Sequence, residues 1–528
     1  MLSSATAADI LTLGQFYRRI CDRYGESVAI ATPERTLTYA DIADEATKLA
    51  NAFQSMGLGA GDRVAILMRN RPEFMITEIA AAYAGIVVLP LNYKLVDADI
   101  EYALEDADIR TVVVGPCFFD TIADIRQRGS SLEHIIGLDR EQETPIGFYE
   151  YSDLIRKADA AVPDISVGPE DPAFLYYTGG TTGDQKGTIH PHSAIILNTY
   201  AHIHELEIYR EEEMMLVTPL AHSASLFYKT GLAQGATIHL RQGFSAADAV
   251  STIEQESISW TYLIPAMISS LLNTGDLSDA ETSSLDTVAY GSAPIPPTQL
   301  ERGIDQLGPV FVQFYGLVEI PNLVTVLPRQ YHDPEKDEWL RSAGVATQLA
   351  DVTILEPKHE QLDERENVGE IGIRAPYQMQ RYLDESHRDD RTWIRTEDVG
   401  RIDERGRLFV LDRIQDVIVT DSGVVYSSEV ENAIQRHPDV EQVAVIGTPA
   451  TDDYVPDVTA ANRLRIEQSI KAVITVSNNE QVSLKEIQDH CRDYLPDYKV
   501  PDSIDTVGQL PETPYGKTDK KSLRKPYW

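Results

Sequence analysis

The chain has 528 residues, more than one hydrophobic core usually supports, so two or more domains are expected. Its 43% hydrophobic content suits a globular protein with sizeable cores. The 83 acidic against 46 basic residues give a formal net charge of −37, spread along the chain, and a field of that sign excludes nucleic acid and anionic membranes as partners.

Lysine is scarce among the basic residues. Dispersed acidity with few lysines reads as adaptation to a salty cytoplasm, where high ionic strength screens self-repulsion; the alternative is a merely acidic protein from ordinary surroundings. Cys21, Cys117 and Cys491 lie far apart with no CxxC pair, which suggests neither a disulfide framework nor a zinc site and fits a reducing, cytoplasmic setting. The N-terminus lacks a basic stretch leading into an apolar one. The most apolar run, 79–91, is interrupted by Gly85 and Pro90, too short for a bilayer, and reads as a buried helix entering a buried strand.

In chain order, residues 10–57 carry helical apolar spacing on both sides of a short strand-like run, with Thr38 and Asp41 forming a capping-box pattern. From "DRVAILMRN" onward, strand-length apolar runs alternate with helical stretches: "TVVVG", "HIIGL", "MMLVTP", "ATIHL", "WTYLIP", "DTVAYG". Alternation of this kind implies an α/β fold whose largely parallel sheets are covered by helices. After Arg341 the segments shorten ("DVTILE", "GEIGIRA") and suit a small barrel or antiparallel sheet. A helical pattern at 427–437, then "VEQVAVIG" and "SIKAVITV", reads as a separate small α+β domain with its boundary near 412–415.

The stretch "YYTGGTTGDQKGTIH" (176–190) is the first with chemical content. A glycine-rich loop after a buried strand can turn its N–H groups inward as an anion nest, with threonine hydroxyls and a lysine adding donors and charge. It is not a Walker A loop, because Asp184 and Gln185 precede Lys186 and no Ser or Thr follows that lysine directly. Taken alone, phosphate loop and solvated turn are equally good readings.

Eight further stretches occur with it: "PLAHSAS" (219–225), "YGSAPIPP" (290–297), "QFYGLVE" (313–319), "RSAGVA" (341–346), "GEIGIRAPYQMQRYL" (369–383), "WIRTEDVGRIDERGRLFVLDR" (393–413), "DVIVTDSGVVYSSEVE" (416–431) and "LPETPYGKTDKKSLR" (510–524). In order and approximate spacing this set resembles the adenylate-forming superfamily of acyl-CoA synthetases, nonribosomal-peptide adenylation domains and luciferases. The resemblance implies a large N-terminal adenylating domain (1–412), with a small barrel at its end, followed by a small mobile α+β lid (413–528) carrying the catalytic lysine.

It also implies ATP-dependent activation of a fatty, aromatic or alicyclic carboxylic acid to an acyl-adenylate, then transfer to CoA, with Mg²⁺ as cofactor. The enzyme would work as a monomer or homodimer. Transfer to a carrier-protein pantetheine is the same-fold alternative, and a degenerate nucleotide- or acyl-binding relative without turnover is the alternative of a different class. The closing "LRKPYW" resembles tails of some fatty- and aromatic-acid ligases.

Residue by residue, the resemblance assigns Thr178, Gly179, Gly180, Thr181, Thr182, Gly183 and Lys186 to the phosphates, and Gly291, Ser292, Ala293 and Pro294 to the adenine side. Tyr315 and Gly316 follow at the adenine, with Asp398 at the ribose hydroxyls and Arg413 at the same sugar or phosphate. Glu319 and Thr181 would hold Mg²⁺, and Lys517, Lys186, Thr182 and Glu319 would be catalytic. His222 and Ala224 would line the acyl pocket, although His222 serves equally well as a satisfied core residue. Gln415 takes the hinge position. His190 and His192 read as structural, and Lys520, Lys521 and Lys525 as solvated.

Several positions depart from the family's pattern. Gln185 replaces a proline and Gly179 a serine, which loosens the loop. Val318 replaces a threonine that helps hold the α-phosphate, a hydrogen bond to a charged group worth about 1.5–3 kcal/mol. Gly423 stands one place later than the usual glycine, and the stretch 450–468 is longer than the usual link.

Overall fold

The computed structural model describes residues 11–139, 147–161, 163, 165–178, 185–278, 280–356, 368–385, 392–450, 463–464, 466–476, 482–513 and 516–528. Every apolar run quoted above from the first 300 residues is a strand, among them Thr111–Val114, His134–Gly137, Glu213–Leu216, Thr237–Leu240, Trp260–Leu263 and Thr287–Tyr290. The run at 79–91 is the end of a wholly buried helix, Pro72–Ala84, and the strand Val87–Leu91, joined through Gly85 at φ +68°. A side chain at Gly85 would also strike Val167 at 2.7 Å, so the turn needs glycine twice over.

Among the described residues these strands form two large sheets. One has eight strands, with Val87–Leu91, Arg63–Leu67, Thr111–Val114 and His134–Gly137 all parallel. The other has nine, with a parallel centre of Thr237–Leu240, Glu213–Leu216, Trp260–Leu263, Thr287–Tyr290 and Phe311–Leu317. Helices Leu13–Tyr24, Tyr39–Ser55, Pro72–Ala84, His192–Glu205 and Ser223–Gln234 share one core with residues of both sheets, Val64 and Phe174 from the first and Trp260 and Phe314 from the second. Separate cores cover the outer faces, around Ile100 and Ile122 on one side and Ile253 and Leu300 on the other. Parallel sheets cannot leave a face to water, and here neither does.

The expected cap is present: Thr38 Oγ1 accepts from Asp41 N–H at 3.1 Å, and Asp41 accepts from Thr38 N–H at 2.8 Å, together worth about 1 kcal/mol. The segment expected as a barrel or antiparallel sheet is a four-stranded antiparallel sheet of Asp351–Leu355, Val368–Arg374, Ile394–Ile402 and Leu408–Arg413. Beyond it, Val440–Pro449, Gln468–Val476 and Ser503–Thr506 form a three-stranded sheet that packs with helices Ser427–Ile434 and Leu484–Cys491 around its own core of Val430, Ile434, Val445, Ile474 and Ile487. Most of the longer link at 450–468 lies outside the described residues. No helix among the described residues is long and apolar enough to cross a membrane.

Candidate active site

A cleft of about 2050 Å³ runs between the large sheets' strand ends, the four-stranded sheet and the C-terminal region. Thr178, Lys186, His222, Ser292, Ala293, Pro294, Tyr315, Gly316, Glu319, Asp398, Arg413, Gln415 and Lys517 all line it. Residues separated by more than three hundred positions are thus brought to one place. Gly179, Gly180, Thr181, Thr182 and Gly183 lie outside the described residues.

The foot of that loop is described. Strands Pro172–Tyr177 and Gly187–Pro191 pair antiparallel, so 178 and 186 meet. Thr178 N–H donates to the Lys186 carbonyl at 3.0 Å, and Lys186 N–H to Thr178 Oγ1 at 3.1 Å. Lys186 Nζ stands 5.2 Å over the Tyr382 ring, whose hydroxyl donates to Glu319 Oε1 at 3.0 Å. Tyr382 lies inside the quoted "QMQRYL" but had no role assigned; only proximity in the fold reveals that it links loop foot to carboxylate. At the loop's edge, the Gln185 carbonyl accepts from Tyr102 Oη at 3.0 Å and its side-chain oxygen is buried.

Glu319 sits in the turn between Phe311–Leu317 and Ile320–Leu327, where burial raises its carboxyl above the ordinary range against the opposing Tyr382 bond. A divalent cation would offset that desolvation, so the residue fits a metal-ligating role. Glycine is required at 316, where a Cβ would lie 2.2 Å from the Asn322 backbone, and at 291, where one would lie 2.6 Å from the Phe314 carbonyl. Ser292, Asn322 and Glu397 hold φ near +70°, +62° and +60°, and all three line the cleft.

Asp398 and Arg413 face each other across the strands Ile394–Ile402 and Leu408–Arg413. Arg413 Nε meets Asp398 Oδ1 at 2.6 Å, and Tyr315 Oη donates to Asp398 Oδ2 at 2.6 Å. Burial first and Asp398 second push the Tyr315 hydroxyl far up, so it stays neutral.

Lys517 arrives from the C-terminal region on a tight turn. Thr513 N–H donates to the Lys517 carbonyl at 2.7 Å, Glu512 pairs with Thr518, and Gly516 has φ +74°. A Cβ on Gly516 would stand 2.8 Å from Ile264 Cδ1, so the turn rests directly on the large domain's wall. The Lys517 side chain stays open to water along the cleft, yet the surrounding protein and then Arg413 lower its ammonium to about 8, with Asp398 opposing. Burial, then Lys517, lowers His222 to about 4, which makes its imidazole neutral at pH 7. His222 therefore lines the site rather than only the core, while Ala224 is fully buried behind it.

His190 and His192 are buried, and His192 Nδ1 accepts from Leu13 N–H at 3.3 Å, in keeping with a structural role. Lys520 is not solvated as expected: it pairs with Glu431 at 2.7 Å and donates to Ser427 Oγ at 2.6 Å. Gln415 is buried at the start of this cluster, and its carbonyl accepts from Arg524 Nη1 at 3.3 Å. Gly423 has φ +143° at the turn between Ile418–Thr420 and Gly423–Val425, a conformation that favours glycine at this position.

The profile of AMP-binding enzymes matches residues 17–383, and that of their C-terminal domain matches 429–517. The chain belongs to this adenylate-forming family. A medium/long-chain-fatty-acid–CoA ligase of Mycobacterium tuberculosis is 30% identical to it over 93% of this chain and 86% of its own. A feruloyl-CoA synthase of an Amycolatopsis species is 31% identical over 93% and 94%. Among solved structures, an amide bond synthetase from Marinactinospora thermotolerans superposes with a TM-score of 0.84 at 26% identity, covering 98% of this chain and all of the other.

Proposed function

We propose that this chain is an AMP-forming acid–thiol ligase that activates a fatty, aromatic or alicyclic carboxylic acid with ATP and passes the acyl group to CoA. The observation that carries the reading is the meeting of Lys517 with His222, Arg413 and Asp398 in one cleft. A carboxylate oxygen attacks the α-phosphorus of ATP, and the bond to pyrophosphate breaks. The CoA thiol then adds to the acyl carbon, AMP departs with the former carboxylate oxygen, and the thiol proton passes to water.

The first step joins two anions, so positive charge must stand ready before they meet. Lys517 neutralises the attacking carboxylate and bridging oxygen, and Lys186 the departing phosphates. Thr178, with Gly179, Gly180, Thr181, Thr182 and Gly183, supplies the nest. Asp398 and Arg413 hold the ribose, and Tyr315 and 291–294 flank the adenine. Glu319, with Thr181, would hold Mg²⁺, which when bound offsets phosphate charge. Residues 1–412 bind acid and nucleotide, and 413–528 form a lid that turns at Gln415 between steps, within one chain or a homodimer.

Acid-dependent ATP–pyrophosphate exchange over a panel of acids at molar salt, with and without CoA, tests this. Exchange plus CoA-ester formation is the expected result. Exchange without the ester would move the second step to a carrier-protein pantetheine, and no exchange with any acid would leave a binding protein without turnover. The same acidic surface supports a halophilic cytoplasm: the unfolding midpoint should climb with KCl, and a flat response would remove that reading.

A further inference from the structure

Next to His222 the cleft ends on aromatic rings. His222 and Ser223 stand at the start of the helix Ser223–Gln234, while Tyr262 and Phe314 reach the same cleft from the strands Trp260–Leu263 and Phe311–Leu317. Tyr262 Oη shares a hydrogen bond of 2.8 Å with Ser292 Oγ and is bonded to Ser223 as well. The ring is thus tied to the 291–294 segment on one side and to the residue after His222 on the other.

Further rings back it. Phe227, one turn into the helix, has its centroid 4.7 Å from that of Tyr262, 5.5 Å from Phe314 and 5.3 Å from Trp260, and Tyr262 and Phe314 stand 5.6 Å apart. His202 packs edge-on to Phe227 at 5.7 Å on the far side. Phe227, Trp260 and His202 are fully buried, whereas Tyr262 and Phe314 keep 2% and 3% of their surface. The Phe314 ring also lies against Gly291, where a Cβ would come within 3.0 Å of it, so ring and backbone are in direct contact. The space that opens beside His222 away from the cleft amounts to about 40 Å³, room for a few waters and not for a chain.

We propose that Tyr262, backed by Phe314 and Phe227, is the floor of the acyl pocket and restricts the substrate to a short carboxylic acid whose chain ends at these rings, rather than a medium- or long-chain fatty acid; this rests on the ligase reading above. The carboxylate has to lie within reach of Lys517, which acts on His222 across the cleft. From there the apolar wall open to a chain is that of Tyr262, Phe314, Leu317 and Val318. Turned the other way it would meet Arg395, Asp398 and Arg401, from which an alkyl tail gains nothing. A short tail ends in contact with the rings and needs no movement, but rings packed at interior density part for further methylenes only with strain. Swinging Tyr262 aside would in addition break the bonds that tie its hydroxyl on both sides.

The test is kcat/KM for acid-dependent AMP formation, with CoA present, along straight-chain acids from acetate to decanoate. The intact enzyme should peak at hexanoate or below and lose roughly tenfold or more towards decanoate. Tyr262→Ala and Phe314→Ala, each opening the floor from a different strand, should raise the ratio of decanoate to butyrate by a similar factor. Equal or greater activity on decanoate in the intact enzyme overturns the assignment without need of the variants, as does a length profile that neither substitution moves in a folded protein. AMP formation confined to aromatic or alicyclic acids fails this assignment alone, whereas no AMP from any acid fails the ligase reading and this assignment with it.

Discussion

Asp398 accepts from Tyr315 on one carboxylate oxygen and holds Arg413 on the other, both at 2.6 Å, so a single side chain fixes a strand of the large sheet against the last strand before the C-terminal region. Asp398→Asn keeps the size but removes the charge that Arg413 faces. Losing charge-assisted bonds of this kind costs about 1.5–3 kcal/mol. KM for ATP should therefore rise roughly ten- to a hundredfold in pyrophosphate exchange, and an unchanged KM would dissociate this pair from the nucleotide.

Lys517 carries the pH dependence. Its ammonium is lowered to about 8, so the cation is present below that pH and is lost as pH rises through it. The free enzyme's kcat/KM for adenylation should fall on the alkaline side of about 8. Lys517→Ala should abolish exchange while sparing thiolation of supplied acyl-AMP; equal loss of both halves would contradict the assigned role. The same substitution should raise the His222 imidazole, which Lys517 helps depress, and a proton NMR titration reads this directly.

Acid stability follows from four of the buried histidines. Burial lowers His190 to about 3 and His192, His202 and His332 to about 4. Unfolded, each would take up its proton near pH 6.5, so between there and about 4 the unfolded chain binds more protons. Stability should fall as pH drops through that window, with each site contributing on the order of 2–3 kcal/mol at its lower end. Urea midpoints at pH 7, 6, 5 and about 4 check the direction, and a rise on acidification would contradict it.

The core holds an ion pair that no motif announced. Lys229 Nζ meets Glu78 Oε2 at 2.5 Å with both side chains out of reach of water, Tyr228 also donates to that carboxylate, and the ammonium stands 4.6 Å over the Phe174 ring. Lys229→Met should destabilise by roughly 3–5 kcal/mol, because Glu78, whose carboxyl burial already raises, is left without its cation. Adding Glu78→Gln to it should recover part of that loss. Denaturation of the single and double variants decides, and an additive result would refute the coupling.

Much of this was legible in the sequence, for physical reasons that can be named. The helix starting at Tyr39 could be read because Thr38 and Asp41 satisfy each other locally, and the buried strands because unbroken apolar runs have few other uses. The meeting of Tyr315, Asp398, Arg413 and Lys517 could be read only through likeness to a family, since their spacing along the chain carries no distance. Tyr382 and Lys229 were not legible at all. Each depends on which faces of separate elements come together, and a tyrosine or lysine inside an apolar stretch looks the same whether it is a partner or a passenger. Lys520 shows the opposite error: a lysine in a basic run reads as solvated until Glu431 is found beside it.

The rest of the Gly516 turn on Ile264 has a bearing on how the chain responds to salt. In molar salt, attraction between charges fades within about 3 Å, so the acidic and basic walls of the cleft cannot draw the C-terminal region shut from afar. A methyl group meeting a bare backbone is indifferent to salt, or is strengthened by it. Lys517 is thereby carried on a contact that holds best where electrostatic guidance is weakest.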